Sequence, residues 1–88
     1  MQIESDKDFT ELRKQFLVWY KRFPMFAHDV HQIEKIIDSH IQQHRKIMVM
    51  HRQTHKRRYL ERAQLEIDAI NRTLATVEKL ELIAMLSR

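Results

Sequence analysis

The chain has no glycine and only one proline, and this limits its fold more than any other feature. Tight β-hairpins need residues at positive φ, and many helices end on a glycine in the left-handed region. A chain of 88 residues without that chemistry has few ways to turn and is left mostly with long helix. Its abundance of Leu, Gln, Glu, Lys and Arg agrees, since these residues form helices well. The expected class is all-α, with a short N-terminal helix packed on a long helix or helical hairpin in a coiled-coil-like oligomer.

Residues 1–88 are expected to form a single helical domain, because the length allows no more than one. The chain has no cysteine, which excludes disulfides and thiolate metal sites. A core this thin is expected to rely on helix packing and self-association. The start, Met1 to Asp6, has neither the basic nor the apolar region of a secretory signal. The longest apolar runs, Phe16–Tyr20 and Leu82–Leu86, fall far short of the ~20 residues that span a bilayer. The expected location is cytoplasmic, or inside a host cell if the source is viral, with no membrane span.

Helix 1 is expected from about Asp6 to about Arg22. Ser5 and Asp8 have the spacing of a capping pair, and Pro24 forces Phe23 out of the helix. Phe9, Leu12, Phe16, Trp19, Tyr20 and Phe23 share one face. That face reads as core rather than as a stacking platform for bases. Pro24 then suits the opening turn of a second helix with the stripe Phe26, Val30, Ile33, Ile37, Ile41 and Met48.

Farther on, Leu60, Ala63, Ile67, Ile70, Leu74 and Val77 alternate spacings of three and four, as in an a/d heptad seam. On an unbroken helix this seam would be turned from the preceding stripe by about a quarter-turn or more. The change of face falls near residues 53–59, where Gly, Pro, Asn, Asp and Ser are all missing. The expectation favours one continuous or kinked helix over about 24–86, with a turn near 53–59 as the alternative. Such a helix needs a partner, so the seam is expected to join copies of the chain in a homodimer or higher oligomer. The apolar end, Leu80 to Leu86, is expected to be covered in the oligomer or to dock another protein.

Charge is concentrated in one segment. Residues 1–44 carry six Lys/Arg against seven Asp/Glu, and residues 63–88 carry three against four. Residues 45–62 carry Arg45, Lys46, Arg52, Lys56, Arg57, Arg58 and Arg62 against Glu61 alone, a net of +6. Phosphates would offset this repulsion, which makes these seven residues the candidate nucleic-acid contacts. Acidic side chains of a second subunit, such as Glu34 and Asp38, are the competing counter-charge. No sequence-reading motif accompanies the cations.

The same region holds His40, His44, His51 and His55, which project to one side of a continuous helix. Imidazoles at i and i+4 can share a metal ion, so these four are the candidate metal or haem ligands. The alternative is a polar stretch of interface that fixes register. No cofactor is expected otherwise. Enzyme chemistry is not expected, since phosphate-cradling glycine loops and cysteine nucleophiles are excluded. His31 with Glu34 and His28 with Asp29 could exchange protons, but nothing in the pattern implies a pocket. The leading expectation is a non-enzymatic interaction or assembly module holding an unidentified protein partner, with nucleic-acid contact through the basic segment. A nucleic-acid-binding accessory protein and a metal- or haem-binding bundle are the alternatives.

Overall fold

The structure, a computed structural model, describes residues 1–86. Three α-helices follow one another: α1 (Phe9–Arg22), α2 (Ala27–Thr54) and α3 (Arg57–Leu86). Single 3₁₀ turns, Asp6–Asp8 and Pro24–Phe26, lead into α1 and α2. No strand forms among the described residues. Helices α2 and α3 pack as an antiparallel hairpin, α1 lies against its lower half, and the whole is a rod of 52 × 18 × 17 Å.

The N-terminal boundary follows the local chemistry. The Asp8 carboxylate accepts hydrogen bonds from the backbone N–H groups of Glu4 (2.8 Å) and Ser5 (3.3 Å), donors that no helical carbonyl could reach. At the other end, α1 stops at Arg22 as expected. Phe23 leaves the helix at φ −125°, ψ 62°, and Pro24 opens the next turn. Phe9, Leu12, Phe16, Trp19 and Phe23 are buried, so the aromatic face is core. Phe16 and Trp19 meet edge to face at 5.1 Å.

The expected continuous helix from 24 to 86 does not form. The chain reverses at His55 and Lys56, between the end of α2 and the start of α3. His55 adopts φ 55°, ψ 24°, the left-handed conformation that glycine usually supplies. Its N–H donates to the His51 carbonyl (2.6 Å), and the Thr54 hydroxyl donates to the Met50 carbonyl (2.8 Å). Histidine tolerates this region better than most residues with a Cβ. The turn therefore exists without any of the usual turn residues.

The reversal also accounts for the two stripes on different faces. Val30, Ile33, Ile37 and Ile41 of α2 join Ile67, Ile70, Leu74 and Val77 of α3 in one buried cluster, with Ile3 and the aromatic face of α1. The seam expected between subunits thus faces into its own chain. Ala63, Ile67, Ile70, Leu74 and Val77 are all buried, while Leu60 is 44% exposed. A second chain cannot reach those five side chains unless the hairpin opens.

Polar contacts, among them one of 3.3 Å between the Tyr20 hydroxyl and His31 Nδ1, fix α1 on the hairpin. Trp19 Nε1 donates to Glu81 (2.7 Å), the Tyr20 hydroxyl donates to Glu34 (3.0 Å), and Arg13 pairs with Asp38 (3.4 Å). Partial burial, then the hydrogen bond to Glu34 and the charges of Glu34 and Asp38, pushes the Tyr20 phenol up to about 12. Before α1, the chain runs back along α3, and Ile3 enters the core at 1% exposure.

Candidate nucleic-acid interface

The upper part of the hairpin differs physically from the rest. Between His44 on α2 and Ala63 on α3 no residue is buried. The last ten residues of α2 and the first six of α3 form a two-helix arm, about 15 Å long at 1.5 Å per residue, which the N-terminal segment borders only at its base, near Met48 and Leu60. All seven candidate cations stand on this arm and all are exposed. Arg45, Lys46 and Arg52 lie on α2, Lys56 lies in the turn, and Arg57, Arg58 and Arg62 lie on α3. Because α2 ends at Thr54, Lys56 does not continue a face with Arg45 and Arg52, as projection along one helix would suggest.

Little within the chain compensates this charge. Among the described residues, Arg57 is the only one of the seven in an ion pair, a 3.7 Å contact with Glu61 between two well-exposed side chains. No acidic residue occupies the first turn of α3, where the helix dipole would favour one. Glu34 and Asp38, the competing counter-charges, are already engaged by Tyr20 and Arg13 of α1. The arm also carries apolar surface, with Val49 and Met50 each 41% exposed and Leu60 44% exposed.

Tyr59 stands among the cations. The Arg58 guanidinium lies over its ring, 5.0 Å from the centroid, and donates to its hydroxyl at 3.2 Å. That hydrogen bond holds the phenol below its ordinary value, and the charges of Arg58, Lys56 and Arg62 add to the effect.

The structure separates the histidine row. His40 Nδ1 lies 2.6 Å from Glu66 and joins α2 to α3. His44 is buried at 6% exposure, edge-on to Phe9 with ring centroids 5.3 Å apart. Its Nδ1 finds no hydrogen-bond partner in the protein. Desolvation lowers its pKa below 6.5, against the opposing charges of Asp6 and Glu66. His44 also borders a cavity of about 190 Å³, which Ser5 and Asp6 line from the N-terminal segment and Met48, Leu60 and Ile67 from the hairpin. His51 and His55 are neighbours at the tip, with ring centroids 6.1 Å apart. The four rings therefore occupy three different environments. Among the described residues, no three His, Asp or Glu side chains are placed to hold one metal ion.

Two features escaped the sequence reading. One is Asn71, whose carboxamide binds the backbone of Ile3. The other is Tyr59, an aromatic residue outside the core and inside the basic segment. The first has no periodic signature, whereas the second is visible as the only aromatic residue after Phe26.

At the opposite end of the rod, Leu80 and Ala84 pack on the core, while Leu82, Met85 and Leu86 are 59–84% exposed. No helix among the described residues is long and apolar enough to cross a membrane. Comparison with known proteins finds no matching family model, no similar curated protein and no similar solved structure.

Proposed function

We propose that the chain is a non-enzymatic binding module whose hairpin arm docks on the phosphates of nucleic acid without reading their sequence. One observation carries this reading: the +6 segment projects beyond the core on an arm that buries no side chain, with Glu61 as its only acid. Packing does not explain such an arm, since it adds nothing to the buried cluster. Its mutual repulsion is a cost that phosphates offset through charge pairing and counterion release. The competing account, neutralisation by Glu34 and Asp38 of another copy, is weakened because both acids already serve α1.

Fluorescence anisotropy with labelled DNA and RNA tests the proposal. Binding is expected at low salt, with little preference among sequences and a steep loss as salt rises. Replacing Arg45, Arg52 and Lys56 together with Gln removes up to about three phosphate contacts and flattens the salt slope by up to about 2.7 on duplex DNA. Unchanged mobility of every probe at low salt, with protein in excess, refutes the reading.

The exposed Leu82, Met85 and Leu86 favour a second reading, in which the opposite end of the rod holds a protein partner or another copy of the chain. Light scattering of the wild type and of a variant with all three changed to Ser distinguishes the two readings. Self-association lost in the variant, with nucleic-acid binding absent in both, supports assembly as the main role.

A further inference from the structure

We infer that the arm takes single-stranded rather than duplex nucleic acid, with a base stacked on the Tyr59–Arg58 pair at its tip. This rests on the phosphate-docking reading above. The first support is the placement of the aromatics. Phe9, Phe16, Trp19 and Phe23 lie in the core, and Tyr20 and Phe26 pack against it. Tyr59 alone lies outside that cluster, on an arm where no buried side chain needs its surface. It sits between Arg58 and Leu60, close enough to Lys56 for the backbone N–H of Tyr59 to bond the Lys56 carbonyl at 3.1 Å.

The second support is the geometry of the pair. The Arg58 guanidinium covers one face of the Tyr59 ring and places positive charge there, which leaves the other face for a nucleobase to stack on. Cations that track a backbone, interleaved with a ring that receives a base, are the two parts that single-strand binding combines. The neighbouring imidazoles of His51 and His55 add two more flat rings at the same tip.

Shape argues against the duplex. The arm is two helices side by side, each about 10–12 Å across, and a major groove about 12 Å wide admits only one. Duplex contact would be limited to phosphates, leaving Tyr59 unused. A single strand presents both phosphates and unstacked bases to the same tip.

The test compares three probes of equal length at one salt concentration: oligothymidylate, a wholly abasic single strand, and a duplex. The wild-type chain is expected to bind oligothymidylate roughly tenfold more tightly than the abasic strand, within the range that one stacked base provides. Tyr59→Leu keeps apolar bulk but removes the π-face. It should abolish that tenfold difference and leave abasic affinity unchanged. Tyr59→Phe should retain the difference. Circular dichroism melting of each variant confirms that the hairpin is intact. Equal affinity for oligothymidylate and the abasic strand, or full retention of the difference in Tyr59→Leu, overturns the stacking inference while phosphate docking stands. Tighter binding of the duplex than of either strand overturns it as well. Failure to bind all three probes overturns both readings.

Discussion

The side-chain amide of Asn71 closes two hydrogen bonds on the backbone of Ile3. Its Oδ1 accepts from the Ile3 N–H at 2.7 Å, and its Nδ2 donates to the Ile3 carbonyl at 2.8 Å. One residue of α3 thus does for an isolated segment what a neighbouring strand does in a sheet. It allows Ile3 to enter the core without leaving its own peptide groups unpaired.

Asn71→Ala removes both bonds and leaves a partly buried donor and acceptor. We expect a loss of about 1–3 kcal/mol in urea denaturation, with faster hydrogen exchange at the Ile3 amide. Asn71→Asp keeps the acceptor but sets a second carboxylate oxygen against the Ile3 carbonyl, so it should be at least as damaging at neutral pH. An unchanged urea midpoint in Asn71→Ala would mean that the N-terminal segment adds nothing to stability.

The heptad seam is expected to behave as chain-internal core. Ile70, at 0% exposure, should cost about 2–5 kcal/mol when changed to Ala, as buried isoleucines do. The same change at the half-exposed Leu60 should stay within about 1 kcal/mol. Ile70→Asp should unfold the chain at neutral pH, because an unpaired buried carboxylate has no compensation. If these residues instead joined subunits, wild-type melting would rise with protein concentration. A constant melting temperature over a hundredfold dilution is the expected result.

His44 makes stability depend on acidity. Its folded-state pKa lies below 6.5, so the unfolded chain holds the proton more tightly. The contribution is therefore fully present above about pH 6.5 and is lost as pH falls through the depressed value. The groups facing it, Asp6 and Glu66, limit the shift without reversing it. His44→Phe keeps a ring against Phe9 and removes the unpartnered Nδ1. It should match or exceed the wild type at pH 7 and lose less stability between pH 6.5 and 5. Parallel pH profiles for the two proteins would show that His44 is not the titrating group.

Much of the fold was legible because burial leaves a period in the sequence. Phe9 to Phe23 and Val30 to Ile41 recur at helical spacing, and these side chains form the core. The change of face between Ile41 and Ala63 was also real evidence, and it pointed to a reversal. The lack of turn residues argues the other way, and it misleads because His55 takes the glycine position with its Cβ in place. Asn71 and Ile3 were invisible because a single long-range pair has no period. At the candidate interface, the cations could be counted from the sequence, but their projection beyond the core could not. The histidine row was legible only as an alignment. Three of its members stay on α2, but His55 falls beyond the helix end at Thr54, His40 meets Glu66 and His44 packs on Phe9, which no spacing along the chain reveals.

The turn itself can be tested. A residue with a Cβ pays about 1–2 kcal/mol in the left-handed region, and glycine avoids this at an entropic cost of about 0.5–1 kcal/mol. His55→Gly should therefore stabilise the hairpin by up to about 1 kcal/mol, whereas His55→Val should destabilise it by more, because branching at Cβ tolerates positive φ poorly. Thermal melting of the two variants against the wild type decides the matter. A less stable His55→Gly would show that the imidazole contributes something glycine cannot replace.

The conformation of His55 also governs which molecule each helix packs against. Were φ at this residue to relax into the right-handed region, α2 and α3 would join into one rod about 90 Å long. Their complementary stripes would then be carried apart, and each could find its counterpart on an identical rod lying antiparallel. Contacts between the two stripes could then re-form between copies, as in domain swapping, whereas the turn's own bond from the Lys56 N–H to the Thr54 hydroxyl would be lost. The hairpin and an intertwined dimer would then be alternative connections of the same two stripes. Closure of a two-residue turn within one chain would favour the hairpin, and release of the strain at His55 would be the opposing term.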